Sequence, residues 1–228
     1  DFYPNTNCWA FGIDLSCASP TNSYGGTQRA GTAISSQHIV LASHFPIANG
    51  ATISFRSTDG ATVNRQILEG AFVAEDIYIC LLSTNLPPTI SPAVVLPQDF
   101  KDYIGNGSRL PMLMLDQQEH AIVADVNLLP FTKRYSNGCV PQNQNRAPYY
   151  EDIISGDSGN PVFLVLENDV ILLHTFHYGG AGSGPFLTNF AQEIQSKMDF
   201  LSNKHNRPNE MLKCFGFSSY PKLVREVK

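Results

Sequence analysis

Apolar residues in this chain fall into short runs broken by glycine, proline and polar clusters. Long stretches of helical period are almost absent, which is the signature of short strands and turns. Residues 30–42 hold two such runs separated by the polar turn Ser35-Ser36-Gln37. Residues 51–56 alternate, pass through the turn Asp59-Gly60, and resume at 61–63, which predicts a hairpin. Residues 71–74 and 76–82 add two apolar segments. Residues 85–99 are proline-rich without helical period and read as a linker between halves. Strands are predicted again over 110–115, 121–129, 161–166 and 170–176. One helix is predicted over 190–201, where Phe190, Ile194, Met198 and Leu201 recur at helical spacing. The tail from 202 to 228 is more charged and has no clear period. Many short strands with one late helix predict an all-β sandwich or a pair of barrels.

Composition narrows the function classes. A chain of 228 residues is long enough for one or two domains with a real core. The net charge of −5, with no basic stripe, argues against nucleic acid as a partner. No apolar stretch approaches the roughly 18 residues of a membrane span, so no membrane span is expected. The opening Asp1-Phe2-Tyr3-Pro4 does not read as a signal peptide. An exported form would be numbered from after its cleavage, and a secreted or periplasmic location is the expectation. The cysteines at 8, 17, 80, 139 and 214 include no C-x-x-C pair, so no zinc or redox motif is indicated. Cys80, inside the apolar run 77–82, reads as a buried, unreactive thiol. Pairing of Cys8 with Cys17, pairing of Cys139 with Cys214, and a fully reduced state all suit the spacing. No cofactor or metal is expected.

The most informative stretch is Ser155-Gly156-Asp157-Ser158-Gly159-Asn160-Pro161. A nucleophilic serine needs a base, an orienting carboxylate and donors for an oxyanion. Glycines beside it let the backbone turn tightly, so that the N–H groups of Gly156 and Ser158 could serve as those donors. Asn160 excludes the G-x-S-x-G elbow of α/β-hydrolases. His44 follows the apolar run 39–42, where a strand end can reach a cleft. Asp76 heads the apolar run 77–82 and would be partly buried, hence in need of a partner such as a histidine N–H. Taken singly, each is ordinary: a glycine turn, a packing histidine, a strand-start aspartate. Their order along the chain, His, Asp, Ser, is what makes them informative.

Together these segments resemble trypsin-like serine proteases of the chymotrypsin family. Residues 31–44 resemble the strand–turn–strand that leads to the family's catalytic histidine. Asp76-Ile77-Tyr78-Ile79-Cys80-Leu81 looks like its Asp-Ile-x-Leu-Leu segment, and residues 156–161 are similar to its Gly-Asp-Ser-Gly-Gly-Pro. The resemblance covers about residues 28–202. It implies two antiparallel six-stranded β-barrels with a C-terminal α-helix. The first barrel (1–97) would carry His44 and Asp76, and the second with the helix (98–202) Ser158. The tail 203–228 lies beyond the matched region and would dock on a barrel through Leu212, Phe215 and Phe217 or bind a partner. The resemblance also implies a serine endopeptidase acting on protein or peptide substrates through an acyl-enzyme, with a protein inhibitor or regulator as a further partner.

There are departures. The family's disulfide beside the histidine is missing, because Phe45 and Arg29 stand in its places. The Ile-Val-Gly-Gly amino terminus is also missing, so Asp157 must pair elsewhere or with the amine of Asp1. Two specificities are implied. Asp152, six residues before Ser158 and next to Glu151, would favour a basic residue before the scissile bond. His177, within Thr175-Phe176-His177-Tyr178-Gly179-Gly180, is similar to the Gly-Ile-His-Trp-Gly-Gly of bacterial glutamyl endopeptidases. It would favour an acidic residue, with Tyr178, Gly179 and Gly180 lining the pocket. The acidic preference is the expectation. The alternative from another class is a catalytically silent binding or regulatory module of the same fold.

Overall fold

Two largely antiparallel sheets hold all the described strands. The structure, a computed structural model, describes residues 6–19, 30–104, 109–128 and 135–219. The first sheet comprises β1 (Ala18–Ser19), β2 (Gly31–Ala33), β3 (His38–Ala42), β4 (Thr52–Arg56), β5 (Thr62–Ala74) and β6 (Ile77–Leu82). Its spatial order is β1-β2-β3-β6-β5-β4. The long β5 pairs with β4 through residues 62–66 and with β6 beyond them, with register shifts at Ile67/Glu69 and Phe72/Ala74. Such irregularities bend a strand and increase its twist. The edge strands β1 and β4 thereby meet, Ser19 Oγ donates to the Ser54 carbonyl, and the sheet becomes a nearly closed barrel.

The second sheet comprises β7 (Val94–Val95), β8 (Arg109–Leu115), β9 (Ala121–Asn127), β10 (Tyr135–Cys139), β11 (Pro161–Leu166), β12 (Asp169–Thr175) and β13 (Ser183–Pro185). Its order is β13-β10-β9-β8-β11-β12-β7. Only the β12–β7 pair is parallel among the described strands. The all-β class with a late helix is as expected from sequence. The second sheet has seven strands rather than six, because the proline-rich segment supplies β7 to the open edge of β12.

Both faces of the second sheet are buried, which explains its unbroken apolar runs. Met112, Met114, Val162, Leu164, Ile171 and Leu173 point into its own core. The alternate residues Leu113, Leu115, Phe163 and Leu172 join the core of the first sheet instead. A one-residue register slip would exchange these faces, so the two cores lock the strands in place. The helix α1 (Ala191–Lys204) buries Ile194, Met198 and Leu201. It packs on β5 and β6, so it leaves the second sheet and returns to the first. The chain then runs beside β7, where Val95 N donates to Lys213 O at 2.9 Å and Phe215 N to Val95 O at 2.8 Å. Leu212 and Phe217 are buried in different cores, so this part of the tail docks across both sheets. Cys8, Cys17, Cys80, Cys139 and Cys214 are all free thiols, and Cys80 is fully buried as expected.

Two buried histidines make the fold acid-sensitive. His38 lies between Ser35 Oγ (2.9 Å to Nδ1) and Ser202 Oγ (3.2 Å to Nε2), tying β3 to α1. Burial pushes its imidazole down to about 4, against a smaller opposing pull from Glu210, and burial pushes His174 down to about 3. An unfolded chain takes up these protons near pH 6.5, the folded one only well below it. The unfolded state therefore binds more protons in between. The stabilisation is fully present above about pH 6.5 and is lost as pH falls through the folded values. For His38 the expected loss is about 3 kcal/mol, at 1.4 kcal/mol per unit. Urea midpoints should drop between pH 6.5 and 4, and His38→Gln should flatten that slope. An unchanged slope in the variant would remove His38 as a cause.

Candidate active site

The site forms where the ends of β3, β6, β11 and β12 converge. His44 follows β3, and its neighbour Ser43 donates its N–H to the Asp76 carbonyl at 2.9 Å. Asp76 closes the two-residue turn between β5 and β6. Its predecessor Glu75 has φ of 50°, a left-handed conformation that costs a non-glycine residue energy. Tyr135 of β10 donates to Glu75 Oε2 at 3.1 Å, so the second sheet helps hold this turn.

Asp76 is buried and accepts four hydrogen bonds. Oδ1 takes Ser43 Oγ at 3.1 Å and the His44 N–H at 2.8 Å. Oδ2 takes His44 Nδ1 at 2.7 Å and His177 Nδ1. Burial works to raise its carboxyl pKa, but the hydrogen bonds from His177 and His44 prevail and hold it below the usual range. The carboxylate form is therefore the one the site is built around. On the other side of the ring, His44 Nε2 lies 2.9 Å from Ser158 Oγ.

Ser158 sits in the turn before β11. Asp157 is 1% exposed, and its carboxylate takes the Gln117 N–H at 3.1 Å and the Ile154 N–H at 2.8 Å. The partner that the sequence left open for Asp157 is thus supplied by backbone amides; Asp1 and Arg29 lie outside the described residues. Gly156 has φ of +106°, which a side chain would resist. Gln117 Nε2 donates to the Ser155 carbonyl at 3.2 Å. A trans peptide points its N–H opposite its C=O, so this bond turns the Gly156 N–H away from Gln117. The N–H groups of Gly156 and Ser158 have no acceptor among the described residues. Gln117 was not recognisable beforehand: it lies in the polar β8–β9 turn and carries no motif.

The specificity candidates are placed less favourably. His177 directs Nδ1 at Asp76 rather than leaving it for a substrate, and its ring meets that of His44 edge-on at 5.0 Å. Asp152 is exposed and accepts a hydrogen bond from Tyr150 Oη. Between Asp152 and the serine turn, Ile153 donates its N–H to Gly180 O at 2.7 Å. This bridges the segment before Ser158 to the Gly179–Gly180 segment. The contact is tight, since a Cβ on Gly179 would lie 2.8 Å from Ile153 O. Tyr178 and Ile154 remain largely exposed beside the site, at 62% and 57%. His44, Asp76 and His177 are also the group of described residues whose ligand atoms could surround a metal ion. Compared with known proteins, the chain matches no family model and no curated sequence.

Proposed function

We propose that the protein is a serine endopeptidase with a chymotrypsin-like arrangement of two barrels, secreted or periplasmic. The observation that carries this reading is the continuous line of hydrogen bonds from Asp76 Oδ2 to His44 (2.7 Å) and from His44 to Ser158 Oγ (2.9 Å). His44, accepting at Nε2, removes the serine proton as Oγ attacks a peptide carbonyl. Asp76 keeps the His44 proton on Nδ1 and stabilises the imidazolium that forms. The Gly156 and Ser158 N–H groups receive the oxyanion. His44 then returns the proton to the leaving amine, and water resolves the acyl-enzyme by the same path.

Under this reading Gln117 positions the oxyanion hole without touching substrate. Gln117→Ala should lower kcat about 10-fold with little change in KM, a fraction of the roughly 10²–10³-fold lost with a whole donor. Equal loss in both parameters would point to general disorder of the turn instead.

The substrate preference also changes with the geometry. His177 commits Nδ1 to Asp76, which leaves only Nε2 of its ring to meet a substrate side chain. Under this reading the side chain before the scissile bond enters beside the 151–154 and 178–180 segments, which the Ile153–Gly180 bridge ties together. A small residue before the scissile bond, such as Gly, Ala or Ser, fits without breaking that bridge. In a peptide library varied at this position, small residues should lead over Glu, Lys and Arg by up to about 10-fold, because opening the bridge forfeits about 0.5–1.5 kcal/mol per hydrogen bond. Leading cleavage after Glu would restore the His177 pocket, and after Arg or Lys that of Asp152.

A further inference from the structure

A carboxylate that serves one imidazole is ordinary in a site of this kind. Here Asp76 Oδ2 serves two, His44 from the end of β3 and His177 from the end of β12. One ring nitrogen of each histidine and a carboxylate oxygen of Asp76 lie within 4.8 Å of one another. Two imidazole nitrogens and one carboxylate oxygen make up a recurrent zinc ligand set, completed by water. We propose that His44, Asp76 and His177 form a zinc site, and that zinc bound there switches the enzyme off. The switching half of this statement rests on the proteolytic function proposed above; the site itself does not.

The geometry needs little adjustment. Zinc bonds of about 2.0–2.2 Å place tetrahedral ligand atoms about 3.4 Å apart. The 2.7 Å separation of His44 Nδ1 and Asp76 Oδ2 must therefore open by about 0.7 Å. Both imidazoles have room to withdraw, because the His44 side chain is 41% exposed and that of His177 20%. Asp76 is held from behind by Ser43 Oγ and the His44 N–H on its other oxygen, so it remains fixed while the rings move. Those two bonds also orient the ligating carboxylate, the usual role of an outer shell.

The silencing follows from proton bookkeeping. Zinc takes the Nδ1 lone pair of each neutral ring, so each ring keeps its one proton but carries it on Nε2. His44 then faces Ser158 Oγ with an N–H rather than a lone pair and cannot accept the serine proton. No bond to Ser158 and no net gain or loss of protons is required. Hard cations such as Ca²⁺ and Mg²⁺ prefer all-oxygen sites and should not act.

The test uses the full chain with Ser158→Ala, which leaves the three ligands intact and removes self-cleavage. Equilibrium dialysis with Zn²⁺ should give one tightly held ion per chain. Adding His177→Ala should weaken that binding more than about 100-fold, since even outer partners of a metal site carry 10–100-fold. Adding His120→Ala, which removes the separate His120–Asp116 pair, should leave it unchanged. Wild-type hydrolysis of a peptide should fall with Zn²⁺ at the dialysis affinity, recover with a chelator, and ignore millimolar Ca²⁺. No bound zinc, or binding insensitive to His177→Ala, overturns the site. Binding that leaves peptide hydrolysis undiminished overturns the switch. Zinc bound as described to a wild-type protein that never hydrolyses peptide refutes the protease reading and leaves the site standing.

Discussion

Replacing Ser158 by alanine is expected to lower kcat by about 10⁶-fold, the scale on which a triad serine fails. The loss is that large because, in the proposed mechanism, Ser158 supplies the bond-forming atom. The two buried cysteines are no replacement nucleophile: burial pushes the Cys17 thiol up to about 12 and raises that of Cys80 further still. Residual turnover should come only from water attacking a carbonyl polarised by the Gly156 and Ser158 N–H groups. Folding should be nearly untouched. Ser158 is partly exposed and, among the described residues, its hydroxyl meets only His44, so the stability change belongs to the class of about 0.5 kcal/mol or less. Single-turnover assays on a fluorogenic peptide, beside thermal unfolding of both proteins, separate the two effects. Equal cleavage by wild type and variant would remove Ser158 as the nucleophile.

The parts of this arrangement that were legible in sequence are those with a local signal. The β4–β5 hairpin announced itself through alternation around Asp59-Gly60, and α1 through the spacing of Ile194, Met198 and Leu201. His44 and Asp76 stood out because each adjoins an apolar run, Ser158 because glycines flank it, and the three together through their order along the chain. What stayed hidden depends on partners far along the chain. Strand β10, Tyr135-Ser136-Asn137-Gly138-Cys139, has no alternation and exists because β9 and β13 offer it hydrogen bonds. Strand β7 lies between prolines and forms on the exposed edge of β12. His177 matched a motif, but a motif fixes the residue and not the direction in which its ring turns. Whether it faces a pocket or Asp76, 101 positions earlier, is decided by how the second sheet meets the first.

Asp76→Asn is the sharper test of that meeting, with an expected fall in kcat of about 10⁴-fold. The introduced amide is almost isosteric, so the packing around β6 should hold. Its chemistry is not equivalent. The carboxylate accepts on both oxygens, whereas an amide accepts on one atom and donates from the other. The His44 backbone N–H at 2.8 Å can only donate, so the amide oxygen must stay on that side. The amide nitrogen then faces the two imidazoles and needs an acceptor. His44 can satisfy it only by offering the Nδ1 lone pair and carrying its proton on Nε2, which is the wrong tautomer for a base. KM should change little, because Asp76 is buried behind the two imidazoles and out of a substrate's reach. His177 meets the same demand: the amide's second N–H faces it, so its Nδ1–H loses its acceptor and the ring must turn or change tautomer as well. Removing His177 as well should therefore cost much less in the Asp76→Asn background than in wild type, a coupling that a double-mutant cycle reads directly. A loss in the double variant equal to the product of the two single losses would mean that His177 acts independently of the carboxylate, and that its hydrogen bond to Asp76 does not support catalysis.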